Sequence, residues 1–84
     1  MSGTVAVLGA AAARASFEQL AAFDEIVVLE PSVDELERLL DELADPRLDY
    51  LLGGLPVLPL PDGSIDRVIG APPDDPEVAR VTRT

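Results

Sequence analysis

The sequence contains no cysteine and no histidine, and its six basic residues are all arginine. Without cysteine there are neither disulfides nor thiolate metal sites. Without histidine the commonest metal ligand and the usual general base near neutral pH are missing. Ser16, Ser32 and Ser64 therefore have no imidazole to activate them, which excludes a Ser-His-Asp triad. Long apolar runs are also absent. The alanine-rich stretch around Ala10–Ala13 falls far short of the ~20 residues a membrane span needs. No basic region precedes an apolar one at the N-terminus, so no signal peptide is expected and a cytoplasmic location is. Abundant alanine and arginine with no lysine fit a GC-rich bacterial genome.

Sixteen acidic residues give a formal net charge of −10. A field of that sign repels phosphate backbones and anionic lipid surfaces, so neither a nucleic acid nor a membrane is expected as a partner. Hydrophobic residues make up 48% of the chain, too many for a disordered acidic segment. Eighty-four residues make a single domain spanning 1–84, with a core over 4–70 and a proline-rich acidic loop and tail over 71–84. At this length folding buries only a little over ~60% of the unfolded chain's surface. Stability then calls for help, and a partner surface or oligomerisation is the route left open.

Thr4–Leu8 is a short continuous apolar run closed by Gly9, which suits a strand buried on both faces. Phe17, Leu20 and Ala21 fall at helical spacing, and Ser16 with Gln19 matches a capping box, placing a helix within 14–23. Glu25–Glu30, rich in β-branched residues, reads as the second strand. Ser32 and Glu35 form another capping box, and Val33, Leu36, Leu39, Leu40 and Leu43 make one apolar stripe of a second helix. Pro46 ends it. Leu48–Leu52, including Tyr50, is a third strand before Gly53-Gly54. Ile65–Ile69 is a fourth, after a loop rich in proline and ending in a Pro61-Asp62-Gly63 turn. Val78–Val81 reads as a last strand or a frayed end.

Strands alternating with helices indicate parallel βαβ units with right-handed crossovers, which place both helices on one face. The expected fold is a small Rossmann-like α/β domain derived from a three-layer architecture. Its mostly parallel four-stranded sheet has the order 3-2-1-4, with two helices on one face. The proline-broken third connection supplies no helix for the other face, so that face is expected to lie open.

Three segments then resemble the motifs of class I S-adenosylmethionine-dependent methyltransferases. Val5-Ala6-Val7-Leu8-Gly9-Ala10-Ala11-Ala12-Ala13 aligns with the family's first strand and glycine loop. Glu30-Pro31-Ser32 aligns with the acidic end of its second strand. The segment from Gly53-Gly54-Leu55-Pro56 through Pro61-Asp62-Gly63-Ser64-Ile65-Asp66 follows a later motif. The resemblance covers residues 4 to 70 and implies S-adenosylmethionine as the cofactor, with Gly9, Ala11, Glu30, Gly53 and Gly54 as binding positions. It also implies a truncated, degenerate copy. Ala11 and Ala13 replace glycines, Val7 and Gly54 stand where the family has acids, and the chain ends where the family's substrate-binding half would begin. Only Glu30, which would bind the ribose hydroxyls, keeps the family's polar contact.

The residues also admit plainer readings. Gly9 suits a tight strand-to-helix turn with no ligand, and a lone glycine misses the dinucleotide fingerprint. Glu30 suits a strand-end carboxylate beside a helix N-terminus. Asp62 and Asp66 suit turn and strand-edge solvation, and Asp24-Glu25 and Asp74-Asp75 a solvated surface rather than a metal site. No catalytic residue is assigned. The combined expectation is a non-catalytic, methyltransferase-like binding or scaffold domain. It would act as a homo-oligomer, a dimer at simplest, or through a protein partner covering the open sheet face. The alternative is a module binding S-adenosylmethionine or an adenine nucleotide, or one subunit of a split methyltransferase.

Overall fold

The apolar pentapeptide Thr4–Leu8 forms strand β1, and Glu25–Glu30 forms β2 beside it in parallel, with Thr4 opposite Glu25 and Leu8 opposite Leu29. Helices α1 (Ala10–Leu20) and α2 (Val33–Leu43) follow these strands. Strand β3 (Leu48–Leu52) pairs with β2, and β4 (Arg67–Ile69) pairs with β1, both in parallel. Helix α3 (Pro76–Val81) comes last. This computed structural model describes residues 3–43, 45–55, 57–72 and 74–83. The sheet order is β3-β2-β1-β4, as the sequence predicts.

Alternation along the strands sorts the core into two layers. Val5, Val7, Ile26, Val28 and Leu48 face α1 and α2, where they meet Ala10, Ala13, Leu20 and Leu39. Ala6 and Leu29 face the other way and pack against Leu58, Ile65 and Val81. The second face of the sheet is therefore covered over its centre, which corrects the expectation of an open one. Its cover comes from two pieces: the loop between β3 and β4, and α3.

The tail, expected to be a loop or a last strand, instead contains a helix. Its start signals are present in the sequence. Asp75 accepts from the Glu77 N–H at 2.9 Å as N-cap, and Pro76 occupies the first turn, where its missing N–H costs nothing. Val78 and Val81, three apart, then lie on one buried side. Arg80 fastens the helix to the loop. Its guanidinium donates to the carbonyls of Leu58 and Leu60, both at 2.9 Å, and to the carboxylates of Glu77 and Asp62. Glu77 in turn accepts from the Leu58 N–H at 2.9 Å. Beyond α3 the chain turns back along the sheet. Thr82 makes a parallel bridge with Ile65, and the Arg83 N–H donates to the Ile65 carbonyl at 2.6 Å.

Two other boundaries shift. Helix α1 starts at Ala10, four residues before the expected range, because the alanine run has the highest helix propensity of any residue type. Ser16 is thus inside the helix and caps nothing. Strand β4 keeps only Arg67–Ile69 of the expected five residues. Asp66 instead ties β4 to β1: its N–H donates to the Thr4 carbonyl at 2.9 Å, and its carboxylate accepts from the Thr4 N–H at 2.8 Å and from Arg83 at 3.0 Å. The capping box at α2 is half formed. Ser32 Oγ accepts from the Glu35 N–H at 3.4 Å, while the Ser32 N–H goes to Glu30. Pro56 of the third motif lies outside the described residues, as do Pro73 and Thr84 of the tail.

Some apolar surface stays exposed. Among the described residues, Leu51, Leu52, Leu55 and Val57, with Val33 and Leu40 on α2, are the large hydrophobic residues left in solvent. Among the described residues no helix is long and apolar enough to cross a membrane.

Candidate functional site

In an open parallel sheet, ligands bind outside the carboxyl ends of the strands, near the point where strand order reverses. Here that point lies between β1 and β4. Gly9, directly after β1, takes φ 101°, a left-handed backbone that glycine adopts readily. Its N–H donates to the Leu29 carbonyl at 2.7 Å, which pulls the turn against the end of β2. Gly70, directly after β4, closes the other side at φ 88°. A Cβ there would sit 2.5 Å from the Leu8 carbonyl oxygen and 2.9 Å from the Ala12 Cβ, so this close approach of β4 to the start of α1 requires glycine.

These turns frame a cavity of about 210 Å³ lined by Leu8, Gly9, Leu29, Pro31, Gly54, Leu55 and Gly70. Of the five positions predicted from sequence, Gly9 and Gly54 line it; Ala11, Glu30 and Gly53 do not. Leu8, Leu29, Leu55 and Gly70 are lining residues that motif reasoning missed. For Gly70 a signal existed, since a glycine directly ends the fourth strand. For the leucines there was none, because an apolar residue at a strand end looks the same whether it faces a core or a cleft.

Glu30 ends β2 beside the cavity but turns away from it, and it is 9% exposed. One carboxylate oxygen accepts from the Ala10 N–H at 2.9 Å and the other from the Ser32 N–H at 2.8 Å. Each donor belongs to the start of a helix, where backbone N–H groups lack intrahelical partners and negative charge is favoured. Glu30 thus ties α1 and α2 to β2. Ala11, expected in a cofactor loop, is an exposed residue in the first turn of α1. Ala13 is fully buried under the same helix. Gly53 donates its N–H to the Glu30 carbonyl at 3.1 Å, continuing the chain off β3. Gly54 has room for a side chain, since a Cβ would meet only Pro31 Cδ, at 3.7 Å.

These residues do not fit S-adenosylmethionine. No polar side chain lines the cavity, and it is smaller than the ~300–1,000 Å³ usual for small-molecule sites. The loop glycines that would let backbone approach a ligand are alanines held in a helix. A larger concavity, about 580 Å³, lies between α1 and α2. There Arg14 Nε donates to Glu42 at 2.7 Å, and that bond raises the Arg14 pKa, so the arginine is already matched to a carboxylate, and Glu18 is the one further charged lining residue. Among the described residues no cluster of His, Cys, Asp and Glu could hold a metal ion.

No protein-family model matches the sequence, and no curated protein does. Solved structures do match. One is a methyltransferase of Haloferax volcanii, solved in complex with the Trm112 methyltransferase activator, at 22% identity and a TM-score of 0.78 over 96% of this chain. The YcgJ protein of Bacillus subtilis matches 99% of the chain at 20% identity and a TM-score of 0.78. A SAM-dependent methyltransferase of Aquifex aeolicus matches 96% at 16% identity and a TM-score of 0.70. The chain spans 41% of the length of the first two and 51% of the third. Its four-stranded parallel sheet and three helices have the Rossmann-like fold of class I methyltransferases.

Proposed function

We propose that this chain is a methyltransferase-fold domain that works by binding another protein and has no methyl-transfer chemistry of its own. The observation that carries this reading is the inward commitment of Glu30. The side chain that would hold ribose hydroxyls spends both oxygens on the N–H groups of Ala10 and Ser32. The neighbouring cavity offers carbon atoms and glycine backbone. Polar ligand groups buried there without partners cost about 1–3 kcal/mol each. A partner protein is supported by the apolar residues left exposed around β3, and by the small size of the core. The similar methyltransferase solved in complex with an activator also supports a protein partner. A second copy of the chain is the simplest form of such a partner.

The position of the cavity supports a second reading, a module for S-adenosylmethionine or an adenine nucleotide, or one subunit of a split enzyme. It lies outside the strand ends, where this class of sheet binds ligands. Calorimetric titration separates the two. No heat and no thermal shift are expected with millimolar S-adenosylmethionine or S-adenosylhomocysteine. Saturable binding at micromolar ligand would replace the first reading with the second. If the site is only degraded, Gly54→Asp combined with Ala11→Gly should create measurable binding, since Gly54 has space for the carboxylate.

A further inference from the structure

The edge of the sheet formed by β3 has features that the core and the cavity do not explain. Among the described residues β3 pairs in the sheet with β2 alone, so apart from the Leu48 N–H, which donates to the Asp45 carbonyl at 3.0 Å, its other side presents open N–H and C=O groups. Sheet edges are ordinarily blunted by charged side chains, proline or bulges. Leu48-Asp49-Tyr50-Leu51-Leu52 has neither proline nor a bulge, and its one charged residue is Asp49. Leu51 is 36% exposed and Leu52 55%.

The helix above the edge repeats the pattern. Glu35 and Glu42 reach across to Arg14 of α1 and so mark the flank of α2 that faces α1. At ~100° per residue, Val33 and Leu40 lie roughly 160° around the helix from those glutamates. Helix α1 packs on β1 and β2, and α2 on β2 and β3, so the opposite flank overhangs β3. Val33 is 53% exposed and Leu40 42%.

Carboxylates border this apolar rim. Asp34, Glu37 and Asp41 lie on the outer surface of α2, and Asp49 on β3. None of the four has an ion-pair partner among the described residues, while the nearby arginines are taken: Arg38 by Glu35 and Arg47 by Asp45.

We infer that the β3 edge and the outer flank of α2 form a docking site for a basic protein segment in extended conformation. The segment adds to β3 as a further strand. On the α2 side its lysine or arginine side chains lay their stems along Val33, Leu40 and Leu52 and reach Asp34, Glu37 and Asp41, while its alternating apolar side chains face Leu51 on the other side. Charge decides between a foreign partner and a second copy. Two copies would bring these same carboxylates together, at −10 per chain. The inference rests on the protein-binding reading above and adds where the partner sits and what it is made of.

The test uses three fluorescent heptapeptides: Lys-Val-Arg-Val-Lys-Val-Arg, the same peptide with glycine for valine, and its glutamate counterpart for every basic residue. Anisotropy should show saturable binding of the first alone, at least tenfold tighter than either control and weakened about tenfold between 50 and 500 mM salt. Amide NMR shifts should fall on Leu48–Leu52. Leu52→Arg, at an exposed position, and the double reversal Asp34→Arg, Asp41→Arg should each reduce binding at least tenfold while circular dichroism stays unchanged. Equal binding of the glycine peptide, no binding at all, or a sedimentation-detected dimer dissolved by Leu52→Arg would overturn the assignment. Shifts confined to another surface would also overturn it, yet leave the protein-binding reading intact. Saturable S-adenosylmethionine binding would remove that reading without moving the peptide site.

Discussion

The carboxylate of Glu30 sits where β2 ends and two helices begin, and its position and its bonds point to different roles. Read by position, it is a cofactor ligand. Read by its bonds, it supplies the acceptors that the N–H groups of Ala10 and Ser32 would otherwise lack. The bond to Ala10 is buried, so its donor has no water to fall back on. Glu30→Ala should therefore lower unfolding stability by ~2–3 kcal/mol, the cost of buried donors losing a charged acceptor. Glu30→Gln keeps one acceptor oxygen and should lose less. Urea denaturation of the three proteins checks this ordering. A carboxylate kept mainly for a ligand would give near-neutral substitutions in the free protein.

Helix α3 operates at the scale of elements. Among its described residues the loop between β3 and β4 forms only isolated bridges, Gly54 with Val57 and Ile65 with Thr82, yet it covers part of the sheet. It holds its place because Arg80 and Glu77 satisfy its backbone at Leu58 and Leu60. The hydrogen bond from Arg80, reinforced by the Leu58 N–H, holds the Glu77 carboxyl below its ordinary pKa. A carboxylate whose folded pKa is depressed adds stability above its unfolded value, about 4.3 for glutamate. That contribution is lost as pH falls through the folded value. Glu77→Gln should melt lower than the wild-type protein at pH 7, with the gap closing as pH drops below 4. Thermal melts across pH 2–7 measure it. This device was only partly legible in sequence. Asp75-Pro76-Glu77 is a helix start that can be read from residue types. The pairing of Arg80 with a loop some twenty residues earlier is a long-range contact, and no local pattern encodes it.

For the molecule as a whole, charge is the largest imbalance. Every arginine except Arg67 is in an ion pair. Among the described residues that leaves Glu18, Asp24, Glu25, Asp34, Glu37, Asp41, Asp49 and Asp74 without an ion-pair partner, along with Glu30 and Asp75, which bond backbone N–H groups. Their mutual repulsion acts across the surface and is screened by salt, with a Debye length of ~10 Å at 0.1 M. The melting temperature should therefore rise between 20 and 500 mM sodium chloride, whereas a surface dominated by its ion pairs would lose stability.

The sequence by itself determined the sheet order, the two helices of the first face and the turn glycine at position 9. Each follows from local pattern: apolar runs of strand length, a helical stripe, and a turn residue between them. The resemblance named Gly9 and Gly54 as cofactor-binding positions, and both line the cavity. Tertiary structure decided the rest. Ala11 became helix because Glu30 of another strand caps the first turn of an alanine run already disposed to helix, and Glu30 became a tie because two helix starts converge on it. The second face was covered because Val81, Leu58 and Ile65 meet Ala6 and Leu29 across distances the chain spans only when folded. Periodicity records which side of an element is apolar; only packing records what that side touches.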